Sequence, residues 1–219
     1  MAPDARGSGE VTVRSYTGGV FAENTYLVAC ARTGAGILVD PGAAAADALA
    51  AARSAGITIE KIVLTHAHLD HVEGIPLVRR ALPDIPILLH PADQQLYDAA
   101  PFQAQMFGVP LEPLPPVDGE LVPGETVRFG ECALEIRFAP GHAPGHVILV
   151  GDVIFAGSIG RTDLPGGDTA QLLRSIRAQV LTLPDETTLH TGHGPDTTVG
   201  HERVSNPFII GNYGGSSFA

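Results

Sequence analysis

The sequence has no tryptophan, one lysine (Lys61) and only two cysteines in 219 residues. Its 13 Lys and Arg residues face 24 Asp and Glu, giving a net charge of −11. No basic stripe is therefore available to neutralise a nucleic-acid backbone or an anionic membrane surface. Neither partner is expected, and a small-molecule substrate gains by subtraction. Cys30 and Cys132 lie in separate apolar segments at no metal-ligand spacing, so they read as two reduced core thiols. No run of 18 apolar residues occurs, and residues 1–10 lack an apolar signal core. A cytoplasmic location is the resulting expectation.

What is present is an ordinary core composition, 44% hydrophobic and 17% charged, which argues against disorder and suits one domain over residues 1–219 that folds without staples. A short Gly- and Ser-rich tail from about residue 209 is expected to pack loosely. Apolar or alternating runs at 11–15, 25–31 and 36–39, separated by glycine turns, predict a strand meander. An alanine-rich helix over 43–55, closed by Gly56, follows, and then a buried strand at 61–65. A helix over 72–82, a strand at 85–89 and a short helix from Ala92 complete a first half with β-α-β alternation. Five prolines between 109 and 123 mark a connection, and the segments 101–116 and 157–168 read as Gly/Pro-rich loops. The second half repeats the outline: strands at 126–129, 133–138, 147–150 and 153–155, a helix over 169–183 and a strand at 187–189.

Histidine is abundant, with nine residues, and clusters at turns. Thr65-His66-Ala67-His68-Leu69-Asp70-His71 sets four potential ligands directly after a buried strand. In an extended segment His66 and His68 point the same way and can share one ion, while Asp70 and His71, beyond a bend, can face a second. The bland alternative is a polar helix start, with Asp70 as the cap and the histidines exposed. Downstream, Pro140-Gly141-His142 and Thr191-Gly192-His193-Gly194 each hold an imidazole in a tight turn after a strand, and Asp152 follows Gly151 between two apolar strands. A buried carboxylate there needs a cation or hydrogen bonds to stay charged. Two cations sharing a water would lower its pKa to about 7 and provide a nucleophile without serine or cysteine.

In this order the motifs resemble the metallo-β-lactamase superfamily, from about Thr25 to Phe208. The run Phe155-Ala156-Gly157-Ser158-Ile159-Gly160-Arg161-Thr162-Asp163-Leu164, together with Glu202-Arg203 and Asn206-Pro207-Phe208, is similar to its compact bacterial glyoxalase II-like branch. The resemblance implies a four-layer αββα sandwich of two mixed β-sheets flanked by helices. It also implies two divalent ions, zinc before iron or manganese. His66, His68 and His142 would hold the first ion, Asp70, His71 and His193 the second, and Asp152 would bridge them. Asp70 would also act in catalysis. Asp40 and His146 would support the ligands from behind, with a plain turn-starting role as the alternative for Asp40. Arg161 would bind substrate near a thiol's carboxylate, or else form a surface ion pair with Asp163.

The implied activity is hydrolysis of a thioester, in the manner of a hydroxyacylglutathione hydrolase (EC 3.1.2 type). A mononuclear-iron persulfide dioxygenase is one alternative, and a lactonase or other ester hydrolase another. A structural metal-binding module is disfavoured because seven ligands for two ions leave open positions. On this resemblance, the helical C-terminal domain with which full-length glyoxalase II enzymes grip glutathione is expected to be missing. The chain also has Gly194 and Pro195 where an aromatic residue is expected after the last histidine.

Overall fold

The three opening apolar runs form an antiparallel meander, β1 (Val11–Gly18), β2 (Glu23–Cys30) and β3 (Ala35–Val39). The computed structural model describes residues 10–148 and 151–211. Every residue of β2 and β3 is buried, because one sheet face is covered by helices and the other by a second sheet. After β3 the chain turns through α1 (Ala45–Ser54) and pairing becomes parallel: β4 (Thr58–Val63), β5 (Ile87–Leu89) and β6 (Gly119–Glu120) extend the sheet to six strands. The parallel run sends the carboxyl ends of β3, β4 and β5 to one edge, so Asp40 and the loop starting at Leu64 emerge side by side.

The outer face of this sheet, through Leu27, Leu38, Ile62 and Ile87, packs against Ala48 and Leu49 of α1 and the apolar side of residues 72–78. The inner face, through Tyr26, Val28, Ile37 and Val39, meets Val127, Phe129, Ile136 and Val147. Those residues belong to the second layer of strands. It is made of the hairpin β7 (Thr126–Phe129) and β8 (Cys132–Glu135) and the ladder β9 (Arg137–Phe138) with β10 (Val147–Ile148). Two further short pairs follow, β11 (Ile154–Phe155) with β12 (Ser158–Ile159), and β13 (Thr188–Leu189) with β14 (Thr197–Thr198). Leu172, Ile176 and Val199, on the helical segments of the second half, close over Ala139, Val153 and Leu189. Helix, sheet, sheet and helix thus stack in the αββα order expected. Cys30 and Cys132 are both buried. Among the described residues no helix is long and apolar enough to cross a membrane.

The structure corrects three local readings. The helix expected over 72–82 is two, α2 (Leu69–Val72) and α3 (Ile75–Ala81), broken at Gly74. There the backbone donates to Pro41 O at 2.9 Å, and a Cβ would come within 2.7 Å of Ala45 Cβ. The segment 101–116 is not all loop: beyond α4 (Gln94–Asp98) it carries α5 (Ala100–Phe107). Pro101 sits in the first turn of α5, where a missing N–H costs nothing, and Gly108, at φ +67°, ends it in the left-handed region. The helix expected over 169–183 is α6 (Thr169–Ser175) followed by a π-helical turn at Ile176–Val180, and a final helix, α7, spans Val199–Ser205. The end of the strand expected over 147–150 and most of the expected tail lie outside the described residues.

Candidate metal centre

The site grows from the loop after β4. Thr65 is pinned on Asp40, whose Oδ1 accepts the Thr65 N–H at 2.7 Å and whose Oδ2 accepts Thr65 Oγ1 at 2.6 Å. Asp40 itself sits at φ +47°, a left-handed conformation that Asp tolerates better than most residues. The loop remains extended through His68 and then turns into α2, so His66 and His68 project together while Asp70 and His71 leave from the first helical turn. His142 completes the first group: its Nε2 lies 2.9 Å from His68 Nδ1 and 3.1 Å from His66 Nε2. His142 Nδ1 donates to Arg161 O at 2.7 Å, which leaves Nε2 as the lone-pair nitrogen facing the cluster.

Asp70, His71 and His193 form the second group. His193 Nδ1 donates to Phe21 O at 3.0 Å, and its Nε2 lies 3.3 Å from Asp70 Oδ2. His71 turns its Nδ1 to Asp40 Oδ2 at 3.0 Å and its Nε2 toward Asp70. Asp152 stands between the groups. Its Oδ2 is 3.5 Å from His142 Nε2 and 3.3 Å from His193 Nε2, and its Oδ1 is 3.6 Å from His71 Nε2. The Asp152 N–H donates to His146 Nε2 at 3.0 Å, and the His146 ring stacks on His66. A methyl at Gly192 would run into the Asp152 carboxylate, so only glycine lets that loop pass. All seven clustered residues singled out in the sequence therefore meet, with Asp40 and His146 behind them. The exposed-cap alternative fails, since His66 and His71 are fully buried and His68 is 7% exposed. Arg161 lines the opening, but its guanidinium is held by Asp163 at 2.7 and 2.8 Å.

The donor set fits divalent cations. Buried His71 Nε2 and Asp152 Oδ1 have no hydrogen-bond partner, an arrangement that costs stability unless a cation or water satisfies both. Burial drives His66 well below the usual imidazole range and His68 down to about 3, each reinforced by neighbouring histidines. Both are thus neutral, as metal ligation requires. Burial opposes charge on Asp152, yet His71, His193 and His142 hold its pKa below the ordinary carboxylate range. Burial likewise opposes a proton on His193, but Asp152 and Asp70 raise it to about 10. In the metal-free protein protons compensate these carboxylates, and a divalent ion would take over that role.

Several residues escaped the sequence reading. Glu23, at the start of β2, is buried; its Oε2 accepts Thr25 Oγ1 at 3.1 Å, and burial raises its pKa, with Asp40 and Asp70 adding to the effect against His71. Asn24 donates to Thr191 O and Gly194 O, both at 2.9 Å, and so fastens the His193 loop. Asp93, fully buried, accepts the Gly145 N–H at 2.6 Å. Gln103 of α5 accepts the Leu69 N–H at 3.0 Å. Asn24 lies between Glu23 and Thr25, and Asp93 beside Gln94 and Gln95, so no local pattern sets them apart. Above the cluster opens a cavity of about 300 Å³, walled by Phe21, Phe107, Phe155, Ile159, Leu164 and Arg161.

Known proteins share this arrangement of chain. Hydroxyacylglutathione hydrolase GloC of Haemophilus influenzae is 35% identical over 182 residues, covering 78% of this chain and 86% of that protein. The crystal structure of TTHA1623 in a di-iron-bound form is 40% identical and superposes with a TM-score of 0.79 over 89% of this chain and 99% of that one. BLEG-1, a B3 metallo-β-lactamase, is 31% identical with a TM-score of 0.81 over 90% and 99%. The metallo-β-lactamase superfamily model matches residues 18–193, a span that begins at the end of β1 and closes on the last histidine of the cluster. With its sandwich, its two His/Asp groups and this match through all the loops that bear them, the chain belongs to the metallo-β-lactamase superfamily of metal-dependent hydrolases.

Proposed function

We propose that the chain is a dinuclear thioesterase of the hydroxyacylglutathione hydrolase type, acting as a single cytoplasmic domain on a small thioester. The observation that carries this reading is the position of Asp152, within 3.6 Å of nitrogens from both groups. His66, His68 and His142 would hold one ion, Asp70, His71 and His193 the other, and the Asp152 carboxylate would face both. Zinc, iron and manganese all suit these donors, and the di-iron form of TTHA1623 supports iron beside zinc. When bound, two such cations lower the pKa of a shared water to about 7 and polarise the carbonyl under attack.

The chain's own residues supply position and proton handling. Asp70 lines the cavity and would orient the attacking water and accept its proton. His146 fixes the backbone of Asp152, and Asp40 fixes the ring of His71. Arg161, although paired with Asp163, is the one Lys or Arg lining the cavity among the described residues and would meet a carboxylate on the leaving thiol. The second group, complete with Asp70, His71 and His193, favours this reading over a mononuclear persulfide dioxygenase. Metal analysis and assay of the purified protein test it: two metal equivalents and turnover of S-D-lactoylglutathione are expected, with activity lost in His68→Ala. One bound iron, oxygen uptake with glutathione persulfide and no thioester turnover would overturn it.

A further inference from the structure

We infer that the acyl half of the substrate is a bulky apolar group, aryl or branched aliphatic, seated on Phe21, Phe107 and Phe155. The inference rests on the thioester reading and specifies which thioesters the site prefers. The cavity has two chemically unlike sides. Over the second group, His193 is tied to Phe21 O, and the Phe155 ring stands edge-on to the His193 ring at 5.9 Å. Phe21 and Phe107 make an edge-to-face pair at 5.3 Å. Phe107 ends α5, and α5 is fixed to the ligand loop by the Gln103 bond to Leu69, so this aromatic wall is held in register with Asp70. Over the first group, His142 is tied to Arg161 O. Among the described residues Arg161 is the sole Lys or Arg lining the cavity, and Asp163 already neutralises it.

A thioester attacked at the floor carries two substituents on the reacting carbon, and they must diverge into these two sides. Hydrolysis adds water across the C–S bond, giving a carboxylic acid and a free thiol. The glutathione arm bears two carboxylates and an ammonium, and laying it on three phenyl rings would strip their hydration with no cation in return. It belongs on the Arg161 side and outward into solvent. The acyl group then meets the aromatic wall. A lactoyl methyl leaves most of the roughly 300 Å³ unfilled, whereas a phenyl can pack edge-to-face on the wall. Phe107, which lines the cavity, is 44% exposed, apolar surface that a ligand at the mouth would cover.

S-mandeloylglutathione and S-D-lactoylglutathione keep the thiol and the hydroxyl and exchange phenyl for methyl. With the metal-loaded protein, kcat/KM for the mandeloyl ester should exceed that for the lactoyl ester by about tenfold or more. Phe107→Ala should reduce that ratio about fivefold, and Phe107→Leu should restore much of it. Calorimetry provides a readout free of turnover: mandelate should bind about tenfold more tightly than lactate, and Phe107→Ala should erase the difference. A native ratio near one, or a ratio that Phe107→Ala leaves in place, overturns the inference while thioester hydrolysis stands. If neither ester is turned over, the thioester reading falls instead. The apolar seat then stands if mandelate keeps its Phe107-dependent advantage and falls if the two acids bind equally.

Discussion

Replacing Asp93 with asparagine isolates one buried charge that no ion pair obscures. Asp93 is fully buried, its Oδ1 accepts the Gly145 N–H, and its Oδ2 has no hydrogen-bond partner. Burial raises its pKa from 3.8 to about 6, against the pull of the Gly145 and Ala67 backbone N–H groups. The native state therefore keeps the proton up to about pH 6, whereas the unfolded chain releases it near pH 4. Between these values the native state binds more protons, so its stability falls as pH rises and the deficit persists at pH 7. A shift of about two units corresponds to about 3 kcal/mol. In Asp93→Asn the side chain does not titrate, and its amide oxygen can still accept from Gly145. Urea unfolding of both proteins, metal-free to remove pH-dependent metal binding, should show the stability difference, native minus variant, dropping by about 2 kcal/mol between pH 4 and pH 7, the unfolded carboxyl being already partly ionised at pH 4. A difference constant to within about 1 kcal/mol over that range would refute the account of Asp93 as an ionised, desolvated carboxylate.

Two further substitutions probe the support of the metal centre. Gly192→Ala places a methyl against the Asp152 carboxylate and beside the His71 ring; it should leave the far-UV circular dichroism unchanged while metal content falls from two equivalents to one or fewer. Asp40→Ala removes the acceptor for Thr65 and the partner of His71 and puts alanine at φ +47°. Chelator competition should show metal affinity weaker by about 10- to 100-fold, and thermal unfolding a stability loss of about 1–3 kcal/mol. Asparagine at the same position tolerates the left-handed backbone and should recover most of that stability.

The clustered residues were legible because their signal is local. His66, His68, Asp70 and His71 lie within six positions after a strand, and His142, Asp152 and His193 each sit beside a glycine at a turn. Strand ends supply rigid attachment and glycine supplies close approach, so residue type and punctuation together mark the place. The supporting residues carry no such mark. Asp93 meets Gly145 across 52 positions and Asn24 meets Thr191 across 167, contacts that exist only once both sheets have closed. α5 was misread for a different reason. Pro101 and the prolines from 110 onward look like one broken stretch, but a proline in the first helical turn is compatible with the helix it begins.

This division between legible and illegible residues follows function. The metal-facing side chains must converge from fixed strand ends, because ligand geometry tolerates little error, and the sequence records that demand as tight motifs. The walls of the cavity need only apolar area at a given height above the floor, which any loop of suitable reach can supply. Phe21 comes from the turn before β2, Phe107 from the end of α5 and Phe155 from β11. Only Phe155 opens one of the motif runs, yet Phe21 and Phe155 are both anchored directly on His193, and Phe107 on Phe21. The net charge of −11 is equally uninformative about the substrate, since on the dinuclear reading the floor would set only two carboxylates against two divalent ions. What the site selects is thus decided by three aromatic rings and one neutralised arginine, and substitutions there should alter substrate preference without altering the metals.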